Sequence, residues 1–161
     1  MSDEDHFLFI DSRFSESASN VDFSVIFNKS VDSHSGGYPT QVFKNVKKVE
    51  LTALSFNHGI FIAFPDENYV VLDIEELNNR LHSNVPEVNQ SFAFVYVDSN
   101  EQIEKSLKGH DFDDKIKYFN PPLSSLSRLT IKLKNPITRD IVSDLGKTTF
   151  MFKITTGPSS A

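Results

Sequence analysis

The chain has 161 residues, which suits one domain with enough length to bury a sizeable core. Its net charge of −6 leaves few cations for neutralising phosphates, and the absence of cysteine excludes disulfides and thiolate metal sites. No apolar run reaches the roughly 18 residues a membrane-crossing helix needs; the acidic start Met1 to His6 is the opposite of a secretory leader, so the expectation is a soluble chain made in the cytoplasm.

The first element, His6 to Ile10, contains "FLFI" and is apolar on both faces. Val21, Phe23, Val25 and Phe27 then alternate with polar residues, the period-two pattern of a half-buried antiparallel strand. Ser35-Gly36-Gly37-Tyr38-Pro39 marks a turn. Lys44, Lys47 and Lys48 form the densest basic cluster, but they lie inside an alternating segment and read as a solvated strand face rather than a phosphate-binding surface. Asn57-His58-Gly59 is a tight corner, followed by the apolar run Ile60 to Phe64 and a turn at Pro65 to Asn68. Tyr69 to Ile74 and Ser91 to Val97 are again apolar on both faces. Such strands need cover on both sides, from the protein's own loops or from another subunit. Glu75 to Leu81 and Asn100 to Leu107 read as short helical turns.

Between Lys117 and Lys134 the sequence is "KYFNPPLSSLSRLTIKLK". Pro121 and Pro122 each remove a backbone donor, so the strand ending near Tyr118 is expected to leave its sheet there. Leu123 and Leu126 would tuck the crossing segment onto the core before the alternating strand from Leu129. Asn135-Pro136 closes that run, and Phe150, Phe152 and Ile154 form a last alternating strand. About eight or nine strands with little helix predict an all-β sandwich or barrel. One domain spans residues 1–161, with flexible ends expected at about 1–5 and 156–161.

No nucleophile elbow, zinc-protease helix, P-loop or dinucleotide turn is present. The five histidines, His6, His34, His58, His82 and His110, stand singly and lack metal-ligand spacing. Asp111, Asp113 and Asp114 fit no EF-hand loop, and Asp98-Ser99-Asn100-Glu101 reads as a strand end with a helix cap. Asn28-Lys29-Ser30 and Asn89-Gln90-Ser91 match the glycosylation triplet, a short pattern that carries little weight. The residues predict no enzyme and no cofactor. The contact surface expected for partner subunits comprises Asn57, Ala93, Val95, Val97, Pro121, Pro122 and Arg128, with Arg128 either a solvated surface cation or a partner for a neighbour's carboxylate.

The ordered series "LFIDSRF" (8–14), "FKNVKKVELTALSF" (43–56), "YVVLDIEELN" (69–78), "NQSFAFVYV" (89–97), "YFNPPLSSLSRLTIKLKNP" (118–136) and "TTFMFKI" (148–154) covers nearly the whole chain. Together these segments resemble the single jelly-roll capsid proteins of large double-stranded DNA viruses of eukaryotes. The chain departs from that pattern at Ser127, at Asn135 to Thr138 and at Thr148-Thr149.

The resemblance implies a single jelly-roll of two four-stranded antiparallel sheets. It implies a structural virion protein of an icosahedral capsid, the penton that forms a pentamer at the five-fold axis. Its partners would be sister copies and neighbouring major and minor capsid proteins, with no nucleic acid and no direct membrane insertion. Its place would be the capsid, after synthesis in the host cytoplasm. The alternatives are a minor capsid or cement protein, or a carbohydrate- or receptor-binding β-sandwich. A metal-dependent cupin would need clustered His and carboxylate ligands.

Overall fold

The structure, a computed structural model, describes residues 2–15, 19–27, 41–56, 69–79, 83–96, 105–108, 115–141 and 147–158. The expected elements at Ser35–Pro39, Asn57–Gly59, Ile60–Phe64 and Pro65–Asn68 lie outside them.

Nine strands are described: β1 (Glu4–Asp11), β2 (Asp22–Ile26), β3 (Phe43–Phe56), β4 (Tyr69–Ile74), β5 (Ala93–Tyr96), β6 (Lys105–Lys108), β7 (Ile116–Leu126), β8 (Arg128–Lys134) and β9 (Thr148–Thr156). They form two antiparallel sheets, one ordered β2-β8-β4-β5, the other β1-β9-β3 with both β6 and β7 paired to β3. β7 lies along Phe43–Glu50 of β3 and β6 along Ala53–Phe56, so the two share one lane end to end. Each sheet is thus four lanes wide.

The core follows from the alternation. In β8, Leu129, Ile131 and Leu133 point inward at 0–1% exposure while Arg128, Thr130, Lys132 and Lys134 face out. In β9, Phe150, Phe152 and Ile154 do the same. One buried cluster draws on the inner faces of both sheets, from Leu8, Leu51 and Phe152 on one side to Phe23, Leu72 and Leu129 on the other. The phenylalanine-rich composition explains its aromatic contacts: Phe150 stacks on Phe152, and Phe27 meets Phe43 edge to face.

Several local expectations are corrected. Glu75–Leu77 is a turn rather than a helix, closed by the Leu77 amide donating to the Ile74 carbonyl. Lys105–Leu107 belongs to β6, so the segment read as a helical turn is in part a strand. The one α-helical turn described is Pro86–Asn89, with proline at its start, where a missing N–H costs nothing. At the sheet's margin Glu4 and Asp5 of β1 pair with Thr156 and Thr155 of β9.

The proline corner also differs. β7 does not leave its sheet at Tyr118 but runs on beside β3 to Leu126, through a cis Asn120–Pro121 peptide. Tyr118 opposes Lys48 and Leu123 opposes Val46, so four residues of β7, 119 to 122, stand against one of β3. β7 lies at the edge of the sheet, where the missing proline donors break no ladder. The handover to the other sheet occurs one step later, at Ser127, whose carbonyl accepts from the Phe27 amide. Leu126 is buried and Leu123 packs against the core, as expected.

Candidate subunit-contact surface

The outer face of the β1-β9-β3-β7 sheet is laid out by its registers. One row runs Asp5, Thr155, Lys48, Tyr118; the next runs Phe7, Lys153, Glu50, Ile116; a third runs Phe9, Met151, Ala53. Strand β1 sits at the margin, pairing with β9 across eight consecutive residues with no register shift. Because side chains alternate, Leu8 and Ile10 fill the core while Phe7 and Phe9 stand in solvent at 68% and 59% exposure. Polar groups flank them. Lys153 lies 3.4 Å from Asp5, and Arg13 holds Asp11 at 2.7 Å. The Thr155 hydroxyl, donating to Asp5, and the Arg13 guanidinium, donating to Asp11, hold both carboxyls below their usual range.

The opposite margin carries a second exposed patch. Tyr118 is 67% exposed on β7, and Asn120, Pro121 and Pro122 are exposed in the bulge beside it. Lys48 is register partner to Tyr118, and Lys44 stands exposed further along β3. Lys47 is engaged by Asp3 at 2.9 Å.

The residues expected to form contacts fall into three groups. Pro121 and Pro122 are exposed at a sheet margin, as a contact role requires. Ala93 and Val95 are not outward: at 3% and 2% exposure they belong to the inter-sheet core, and the intervening Phe94 takes the outer face. The run "SFAFVYV" is apolar on both faces, so its phase could not be read from sequence. Asn57 and Val97 lie outside the described residues. Arg128 is exposed and meets a carboxylate of its own chain, with Nε 3.4 Å from Glu76.

Strands apolar on both faces therefore divide by who covers them. Val71, on the outer side of β4, has 0% exposure in the single chain, so it needs no cover from another copy. Phe7 and Phe9 have no such cover among the described residues. Sequence reasoning named β5 for contacts and passed over β1. The missed signal was two phenylalanines bracketing Leu8 inside a short strand with acids at both ends.

Two polar clusters complete the surface. A cleft of about 290 Å³ opens at the end of the β1-β9-β3 sheet, lined by Glu4, His6, Lys44, Asn45 and Thr156 among others. There His6 Nε2 lies 3.2 Å from the Thr156 hydroxyl and 3.8 Å from Glu4. On the other sheet, Lys134 contacts Asp73 at 2.9 Å and Glu87 at 3.6 Å, and Glu87 also meets Arg139. The hydrogen bond to Asp73 raises the Lys134 ammonium above its usual range. Among the described residues no three His, Asp or Glu side chains gather as metal ligands would. His34, His58, His82 and His110, Asp98 and Ser99, the aspartates at 111, 113 and 114, and Asn28 lie outside the described residues. In the triplet at Asn89, the Asn89 side chain accepts from the Ser83 amide and Ser91 is fully buried, a poor acceptor site.

No family model matches the chain, and no curated protein matches it.

Proposed function

We propose that this chain is a single jelly-roll and a structural building block of an icosahedral virion, serving as the penton that assembles five copies around a vertex. The observation that carries the reading is the strand order. The chain moves from one sheet to the other at nearly every step, giving β1-β9-β3-β6/β7 opposite β2-β8-β4-β5. Only β4 to β5, and the shared lane of β6 and β7, stay within one sheet. Two interlocked Greek keys wind a chain in this way.

The surface supports an assembly role. Aromatic side chains stand on a rigid sheet, where their ordering costs little on association, and polar groups surround them as at the rim of a protein contact. Five copies around an axis need heterologous contacts, which use two different patches on each copy. The second reading, a glycan-binding module, has one observation in its favour: Tyr118 is a ring exposed enough to stack on a sugar.

Sedimentation velocity of the purified chain, from low to high micromolar concentration, tests the proposal. The capsid reading predicts growth from the 18.2 kDa monomer to one closed species. A monomer at every concentration, together with tight binding to a glycan array, would favour the module instead.

A further inference from the structure

We infer that residues 3–7 form an acid-released strap: beyond its backbone ladder, the first half of β1 is held on the sheet by charged and polar side chains, and lowering the pH frees it while the second half stays in place. The strap belongs to the single chain, so it holds whether or not copies assemble.

The two halves of β1 are anchored differently. Side chains at 4, 6, 8 and 10 share the inward face. The last two, Leu8 and Ile10, sit in the inter-sheet core at 6% and 3% exposure. The first two are Glu4 and His6, both ionisable. Glu4 is exposed, and His6 is half-buried with its ring tilted against Phe43, 5.3 Å between centroids. The outward residues of this half, Asp5 and Phe7, are exposed as well. The ladder from Glu4 to Phe7 therefore has no buried aliphatic side chain beneath it.

Charge takes the place of that anchor. Asp3 meets Lys47 Nζ at 2.9 Å. Asp5 accepts from the Thr155 hydroxyl at 2.6 Å and lies 3.4 Å from Lys153. His6 Nε2 lies 3.2 Å from the Thr156 hydroxyl and 3.8 Å from Glu4. Among the described residues the charged groups facing the strap are Lys44, Lys47 and Lys48 from β3 and Lys153 from β9, with Glu50 beside Lys153 as its register partner. At neutral pH an acidic strap thus lies on a largely basic stretch of sheet. Acid reverses the sign. Carboxylates lose their charge and a histidine becomes a cation, so the strap turns positive toward a positive surface. The Thr155 hydroxyl, and after it Lys153, hold the Asp5 carboxyl below its usual range, so this contact contributes above about pH 4 and is lost as pH falls through the depressed value. Contacts this exposed are individually weak and screened by salt, which makes the strap the part of β1 that opens first. Once peeled back, it leaves residues 153–156 of β9 as the edge of the sheet.

Amide hydrogen exchange of the full chain, followed by NMR at about pH 7 and about pH 3 and expressed as protection relative to the intrinsic rate at each pH, tests the strap. The hydrogen-bonded amides of residues 4–7 should lose protection about tenfold in acid, and those of residues 8–11 less than about twofold. Unchanged protection in the first half, or an equal loss in both halves, would overturn the inference. Asp3→Asn combined with Asp5→Asn should loosen residues 4–7 already at neutral pH; wild-type protection in that variant overturns it too. His6→Leu supplies the missing aliphatic anchor and should keep residues 4–7 protected in acid, whereas release equal to that of the wild type would count against the strap.

Discussion

Glu76 should carry stability out of proportion to its place in a turn. Its carboxylate accepts from both the backbone amide and the hydroxyl of Thr130. β4 ends at Ile74; past it the Glu75 amide still donates to the Thr130 carbonyl, and the Glu76 side chain supplies the acceptor for the Thr130 amide. The side chain is 16% exposed. A hydrogen bond to a charged group contributes ~1.5–3 kcal/mol, and an orphaned amide costs a similar amount. The Arg128 pair adds little because Arg128 is 59% exposed. Glu76→Ala should therefore destabilise the chain by about 2 kcal/mol, lowering Tm by roughly 4–8 °C for a domain of this size. Glu75, the neighbouring exposed carboxylate, is the internal control: Glu75→Ala should stay within about 0.5 kcal/mol. Glu76→Gln, which keeps one acceptor for the amide, should recover part of the loss. Urea denaturation followed by circular dichroism measures all three. Equal effects for the alanine variants at 75 and 76, or none for either, would refute the argument.

Phe152→Ala removes a fully buried ring stacked on Phe150 and should cost ~3–5 kcal/mol, visible as a large loss in the urea midpoint. Arg13 holds Asp11 below its ordinary range, so the pair stabilises above about pH 4, and that contribution is lost as pH falls through the depressed value. Asp11→Asn should thus cost ~0.5–1 kcal/mol at pH 7, with the difference from wild type closing in a thermal melt series as pH falls through the depressed value. A Cβ at Gly157 would come within 2.6 Å of Asn45 Nδ2, which donates to the Pro158 carbonyl. Gly157→Ala should cost about 1 kcal/mol by displacing that amide, and Asn45→Ala, which removes the clash, should make the second change nearly silent in a double-mutant cycle.

Period-two alternation made β2, β8 and β9 readable because each has one wet face. The same rule could not assign a phase to "FLFI" or "SFAFVYV", where apolar residues occupy both faces of the strand. That is why Ala93 and Val95 were expected outside and Phe7 and Phe9 were passed over. Two prolines signalled an irregular backbone correctly, but local chemistry did not say that β7 occupies an edge lane, where prolines are tolerated. Lys105–Leu107 looked helical in isolation; the edge of β3 supplies the partner that makes it a strand. Glu75 and Glu76 are indistinguishable in sequence, and only the end of β4 decides which one bonds to β8 through its side chain. The mixed charges of the outer face could be read only after the lanes were ordered, since Asp5 and Lys48 are 43 positions apart in the chain yet share a row of the sheet.

The central claim, that copies of this chain assemble into one closed ring of five, is tested most directly by native mass spectrometry of the concentrated chain. A single dominant species of about 91 kDa, five 18.2 kDa chains, is predicted. A monomer alone, or a two-fold dimer, would contradict it.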